Sequence, residues 1–266
     1  HFIFQPAEEH GKGALSMMQD GLFERFPMSS VFAIHNMPNI APGIFGIRDG
    51  AMMACEDNFE ITITGKGAHA ALPHLGVDPI VIGSEIVLAL QTIISRKLDP
   101  LDQGVISVTE FTTDGTRNVI PETVTLKGDC RAYLPEVQDL FEAKIENIVK
   151  GICLAHDAEY QFSYSREFAS TLNSVKEAEA ARKTVLESFG AEYLAENCPP
   201  VMASEDFGFM LQQKAGAYIF LGNGGGGPGG CGLHNPNYDF NDDILASGIK
   251  FWISLVERQL PLDPES

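Results

Sequence analysis

Positive charge is scarce in this sequence. Its 266 residues hold 18 Lys and Arg against 36 Asp and Glu, a formal net charge of −18. Such a surface repels phosphate backbones, and no basic run stands out, so neither nucleic acid nor an anionic membrane is an expected partner. Long hydrophobic runs are missing too. No stretch approaches the ~18 consecutive apolar residues of a transmembrane helix, so none is expected. Cysteine is sparse and unpatterned: Cys55, Cys130, Cys153, Cys198 and Cys231 are odd in number, widely spread and form no CxxC pair. That argues against a disulfide scaffold and for a reducing, cytoplasmic setting. The short signatures HExxH, GxSxG and GxxxxGK[ST] are also lacking, which removes the local signals for a helix-borne ligand pair, a serine-hydrolase elbow and a phosphate cradle.

What is present reads as globular protein. With 44% hydrophobic and 20% charged residues, the chain can bury a sizeable core as one large domain or two ordinary ones. It opens on His1-Phe2-Ile3-Phe4, with neither an initiator Met nor the basic start of a signal peptide. This reads as a buried strand over residues 1–5 whose upstream chain is absent, so a fragment or processed product is expected. A helix is expected over about 11–20, stopped by Gly21, and a second apolar run covers Val31 to Ile34. Strand, helix and strand in this order suggest an α/β layer.

The texture changes near Asn58. Residues 59–64 alternate with period two, 79–97 are helical with Pro79 in the first turn, and 105–111 and 124–133 are strand-like. Apolar residues from Val137 to Ile152 recur at helical spacing, and 159–164 read as a last strand. The order β-α-β-β-α-β predicts a ferredoxin-like α+β domain over 56–167, inserted into an α/β domain made of 1–55 and 168–266. Beyond it, a helix over 174–189, a strand over 218–221, a glycine-rich loop over 224–230 and a closing helix over 244–260 are expected.

Three of the seven histidines, His35, His69 and His234, sit at ends of apolar runs or in Gly/Pro-marked loops, where functional side chains tend to be placed. Glu8-Glu9 follows the first apolar run, and adjacent side chains there point in different directions, so one carboxylate can hold a metal while the other faces substrate. Imidazole with carboxylate suits zinc, manganese, cobalt or nickel. Taken singly, each feature has an ordinary reading: an acidic pair as solvated surface, a His before Pro as a loop residue. His10, His74 and His156 keep that reading. The glycine-rich loop has no Lys, Ser or Thr after it and reads as a flexible loop near a site. The cysteines lie in no nucleophile signature and read as buried.

Together, dispersed segments carry a resemblance. Phe4-Gln5-Pro6-Ala7-Glu8-Glu9, Asp20-Gly21-Leu22, Ala33-Ile34-His35-Asn36-Met37-Pro38, Gly65-Lys66-Gly67-Ala68-His69-Ala70-Ala71 with Pro73-His74, Asn118-Val119-Ile120-Pro121, Ser204-Glu205-Asp206-Phe207 and His234-Asn235-Pro236 occur in that order. They resemble the metal-dependent amidohydrolases of the hippurate hydrolase group, which includes N-acyl-amino-acid amidohydrolases, carboxypeptidases and auxin-conjugate hydrolases. The resemblance spans essentially the whole chain. It implies a zinc-peptidase-like α/β catalytic domain, incomplete at its N-terminus, with the inserted 56–167 unit as lid and homodimerisation domain. It implies two divalent metal ions (Zn, Mn, Co or Ni) in the full-length protein, held here by Glu9, His35 and His234. Glu8 is implied as general base and His69 as a catalytic donor to the oxyanion. Asn118 and Arg131 are implied as substrate-binding, with an N-acyl amino acid as the small-molecule substrate. The group takes two further ligands, a Cys and a His, from upstream of the Glu-Glu motif, so the site is expected to be incomplete in an N-terminally truncated chain. The alternatives are a dipeptidase or carboxypeptidase of the same superfamily and a non-catalytic fragment that retains dimerisation.

Overall fold

The structure is a computed structural model and describes residues 1–195, 198–226 and 230–261. The chain divides into two compact units. The first comprises His1–Met53, Thr171–Val201 and the chain from Asp206 onward; the second comprises Ala54–Ser170 and Met202–Glu205.

The first unit begins with a departure from expectation. Residues 1–5 form no strand, and Phe2 and Phe4 are 76% and 91% exposed. A strand needs a neighbour for its N–H and C=O groups, and no described strand pairs with this segment. Ile3 turns inward, onto the core beside Ala14, and Gln5 is half-buried. The helix expected over about 11–20 is α1 (Gly13–Gln19), and it stops before Gly21, whose φ of 84° starts a further short helix, α2 (Leu22–Arg25). β1 (Ser30–Pro38), β2 (Phe45–Gly46) and β3 (Gly50–Met53) follow.

The chain then builds the second unit: β4 (Glu56–Thr64), β5 (Ala68–His69), α3 (Pro79–Arg96), β6 (Gly104–Thr113), β7 (Val119–Ile120), β8 (Thr123–Ala132), α4 (Pro135–Ala155) and β9 (Glu159–Phe168). Four strands form an antiparallel sheet in the order β6-β8-β4-β9. Period-two alternation places Phe59, Ile61 and Ile63 of β4 in the core and leaves Asn58 and Glu60 exposed. The core receives Ile82, Ile86, Leu90 and Ile93 of α3 and Val137, Phe141, Ile145 and Val149 of α4. At mean hydropathy 1.4, α3 is long and apolar enough to cross a membrane. Its apolar stripe is nevertheless spent on this core, and Ser84 and Gln91 bond back to its own carbonyls on the exposed side. Asp78 caps it, accepting from the Ile80 N–H at 2.9 Å. β5 and β7 form a separate two-stranded ladder that periodicity gives no sign of.

The chain returns to the first unit with β10 (Thr171–Asn173), α5 (Val175–Ser188), α6 (Phe207–Gln213), β11 (Ala215–Gly224) and α7 (Leu245–Gln259). β11 is the middle strand of a three-stranded sheet, parallel to β1 and antiparallel to β2. It is buried from Gly216 to Gly224, as a strand covered on both faces is. Tyr218 and Phe220 enter one cluster with Ala14, Phe23 and Phe207; Ala217, Ile219 and Leu221 enter another with α5 and α7. β10 pairs antiparallel with β3. The middle of the expected glycine loop, 227–229, lies outside the described residues.

The second unit buries acids, Asp57 among them. Asp57 of β4 is fully buried and accepts from Gln138 Nε2 and Tyr164 Oη, each at 2.5 Å. Burial pushes its carboxyl from 3.8 up to about 6, against the pull of those two donors. The folded state therefore binds the proton more tightly than the unfolded chain does. The stabilisation is fully present below about pH 4 and is lost as pH rises through about 6. Asp57→Asn keeps both partners and removes the charge. Denaturant unfolding at pH 4.5 and 7.5 should show the variant more stable by about 1–3 kcal/mol at the higher pH, with a flatter pH profile. A variant with the wild-type pH slope would show that Asp57 is not the group responsible.

Candidate active site

In the first unit, Glu8 and Glu9 lie on a single 3₁₀ turn, Glu8–His10. Pro6 ends the extended lead, and Ala7 takes left-handed φ of 49° to enter the turn. Gly11, at φ 63°, closes it by donating its N–H to the Glu8 carbonyl at 2.7 Å. The flanks are tied by a buried carboxylate: Asp206 accepts from the Gln5 side-chain amide and, at 2.8 Å, from the Ala14 N–H. Gly13 makes the closure possible, since a Cβ there would lie 1.6 Å from the Pro6 carbonyl oxygen.

His35 stands within β1, not at a strand end, opposite Phe220 of β11. Its Nδ1 lies 2.6 Å from the Asn36 carbonyl oxygen. A carbonyl only accepts, so Nδ1 carries the hydrogen, and in the neutral ring Nε2 keeps its lone pair, the form a metal ligand needs. The neighbouring Asn36 donates from Nδ2 to Tyr238 Oη, joining β1 to the loop that carries His234. Asn223, buried at the end of β11, holds the same loop by donating to the Asp239 carbonyl at 3.2 Å and accepting from the Asn241 N–H at 3.0 Å. His234 adopts left-handed φ of 62° and sets its Nε2 3.7 Å from Glu9 Oε2. Both side chains are exposed. Two ligands each about 2.0–2.2 Å from one ion can span such a gap.

In the second unit, the β5–β7 ladder brings His69 and Asn118 together: His69 pairs with Val119, and the Ala70 N–H donates to the Asn118 carbonyl at 3.0 Å. His69 Nδ1 accepts from the Ala71 N–H at 3.1 Å. Here Nδ1 must carry the lone pair, so Nε2–H is the outward donor. Arg131 is engaged within its own unit. Its Nε meets both Asp129 oxygens at 3.0 Å, and its Nη1 meets Glu56 at 2.8 Å and Ser204 Oγ at 3.1 Å.

The donor set suits a divalent ion in type, carboxylate with neutral imidazole. Among the described residues, no three His, Cys, Asp or Glu side chains gather as a complete metal site. Thiol chemistry has no support: all five cysteines are free, and burial pushes Cys55 up to about 11 and also raises Cys130, Cys153 and Cys198. Sequence reasoning gave no role to Asp206, Tyr238 or Asn223. For Asp206 a signal existed, an acid directly before the core-like Phe207–Met210 stretch. For the other two there was none: Tyr238 meets a partner about 200 residues away, and Asn223 bonds mainly to the backbone of Asp239 and Asn241, which no side-chain pattern marks.

The model of peptidase family M20/M25/M40 matches residues 1–258. The chain belongs to this family. It is 39% identical over 260 residues to the hippurate hydrolase of Campylobacter jejuni, covering 98% of this chain and 67% of that protein. It is 32% identical over 265 residues to the N-acetyl-L-cysteine deacetylase of Bacillus subtilis, covering 99% of this chain and 61% of the relative. With the IAA-amino acid hydrolase ILR1-like 5 of Arabidopsis thaliana it shares 33% identity over 271 residues, again 99% against 61%. The chain thus spans about two thirds of the length of the curated relatives it matches. Among solved structures it is similar to the YXEP protein of Bacillus subtilis, described as a dinuclear metal-binding peptidase of the M20 family. The TM-score is 0.80 at 25% identity, over 96% of this chain and 63% of that one.

The closure at Gly13 can be tested by stability alone. Gly→Ala in a helix ordinarily stabilises by up to about 1 kcal/mol. Here the added methyl meets a backbone oxygen, so Gly13→Ala should instead destabilise by about 1–3 kcal/mol in urea unfolding. A midpoint at or above wild type would mean that the turn is not clamped as described.

Proposed function

We propose that the whole protein hydrolyses the amide bond of N-acyl amino acids, hippurate-like conjugates among them, by general-base attack of water. The observation that carries this reading is the approach of Glu9 and His234 beside Glu8, in a chain of the M20 family whose relatives include a hippurate hydrolase. Glu9, His234 and His35 are the residues that would hold metal, completed by ligands from outside this chain. Divalent ions of the Zn, Mn, Co or Ni class, when bound, lower the pKa of a coordinated water to ~7 and polarise the carbonyl.

Glu8 takes the proton of the attacking water and returns it to the leaving amine. His69, with Nε2–H outward, donates to the developing oxyanion, and Asn118, held beside it, binds the acyl portion. Arg131 is assigned to the substrate carboxylate by resemblance, and in this structure it is paired with Asp129 and Glu56. The inserted unit also serves as lid and homodimerisation domain in this proposal. Its β6 lies at one end of the sheet order with Val105 and Phe111 exposed, an edge open to pairing.

The test is metal content and hydrolysis of hippurate, acetyl-amino acids and dipeptides, on this chain and on the whole protein. About two metals per whole protein with preference for N-acyl substrates supports the proposal, whereas dipeptide preference would assign a peptidase instead. In the whole protein, Glu8→Gln should lower kcat by about 10²–10⁴-fold with metal content retained; unchanged turnover removes Glu8 as base. His69→Ala should lower kcat by about 10²–10³-fold, again with metal retained, and an unchanged kcat removes the oxyanion role.

A further inference from the structure

We propose that Asp206 is the positioning residue of the turn that carries Glu8 and Glu9; the inference rests on the hydrolytic reading above and deepens it. Asp206 immediately precedes α6, yet its side chain caps no α6 N–H. It reaches instead across the first unit, where one oxygen accepts from the Gln5 amide and the other from the Ala14 N–H. Gln5 and Ala14 flank the acidic turn on either side, so one carboxylate staples both ends of the loop. The close backbone approach of Gly13 to Pro6 spans the same two ends from an independent direction.

The side chain is fully buried. Carboxylates are costly to bury and persist where fixed donors compensate them. Packing of α6 against the core needs no charge at this position. A loop that must aim two adjacent carboxylates differently does need fixed ends, because misplacing a reacting group by about 1 Å can cost roughly 10²-fold in rate.

The geometry defines an exchange test. Asp206→Asn can keep both bonds: Asn Oδ1 accepts from the Ala14 N–H, and Nδ2 donates to a flipped Gln5 amide oxygen. Gln5→Glu alone sets two carboxylates against each other. The double variant Gln5→Glu/Asp206→Asn restores a donor–acceptor pair with the charge moved across the contact. The whole protein and these variants, with Asp206→Ala, are compared by zinc titration calorimetry, kcat and KM on hippurate, and thermal unfolding. Asp206→Ala and Gln5→Glu should weaken zinc binding at least 10-fold and lower kcat about 10²-fold at temperatures where both are folded, with KM changed far less. The double variant and Asp206→Asn should recover most of both. If Asp206→Ala does not fold, the Gln5→Glu and double-variant pair decides. Loss of melting temperature alone, with zinc affinity and kcat at wild-type values, overturns the positioning role while leaving the hydrolytic reading standing. A wild-type protein that binds no metal and cleaves no amide overturns both.

Discussion

The parallel pairing of β1 with β11 is the constraint on which the rest of the first unit depends. The two strands flank the entire inserted unit in sequence, yet run side by side from Ser30 opposite Ala215 to Asn36 opposite Leu221. Their register cannot slip. β11 is buried on both faces, so a shift of one residue would exchange Tyr218 and Phe220 with Ile219 and Leu221, two sets that fill different clusters. The fixed register fixes His35 on β1. It also fixes where β11 releases the chain, through Asn223, into the loop bearing His234. Histidines from opposite halves of the chain are thereby set toward the carboxyl ends of parallel strands, where open α/β sheets hold their ligands.

Two buried acids show how the same group serves different ends. Asp57 links β4, α4 and β9 through Gln138 and Tyr164, and its neighbourhood is so desolvated that its carboxyl titrates near 6. Its partners are core side chains, and it organises the interior of the inserted unit. Asp206 accepts from a backbone N–H and a side-chain amide that are close in sequence to each other and far from it. Its effect falls on one short loop. The difference lies in the donors: those of Asp57 are side chains of a long helix and a strand, whereas those of Asp206 stand on either side of the acidic turn, Gln5 before it and the Ala14 N–H in the first turn of α1 after it.

The order of the long strands and helices of the second unit was legible because their pattern is local, although β9 runs on to Phe168 and β5 and β7 were not foreseen. Alternation along β4 and helical spacing along α3 and α4 report which face is buried without knowledge of any partner. The strand read into His1–Gln5 failed because apolar character alone does not supply a hydrogen-bonding neighbour. β2, β3 and β10 were missed because strands of two to four residues carry no period. Glu8, Glu9, His35 and His234 stand out as one candidate set only through resemblance, since single carboxylates and imidazoles in loops look like surface. Asp206, Asn223 and Tyr238 hold those residues through contacts some 200 residues or more away for Asp206 and Tyr238, and no window along the chain can contain such a contact.

The two histidines that the backbone grips most directly are gripped in opposite senses. His35 gives its Nδ1 hydrogen to a carbonyl, which leaves a lone pair on Nε2. His69 Nδ1 accepts a hydrogen bond from an N–H, so the ring hydrogen sits on Nε2. One ring is thus prepared to accept a cation and the other to donate to an anion, with no difference in residue type and none that pH must supply. A composition or spacing argument treats them alike. The distinction lies in whether the nearest main-chain group is a C=O or an N–H: for His35 it is the carbonyl of the next residue in β1, for His69 an amide just beyond β5. Each local turn of backbone thereby sets the tautomer, and the tautomer decides which chemistry the side chain can perform.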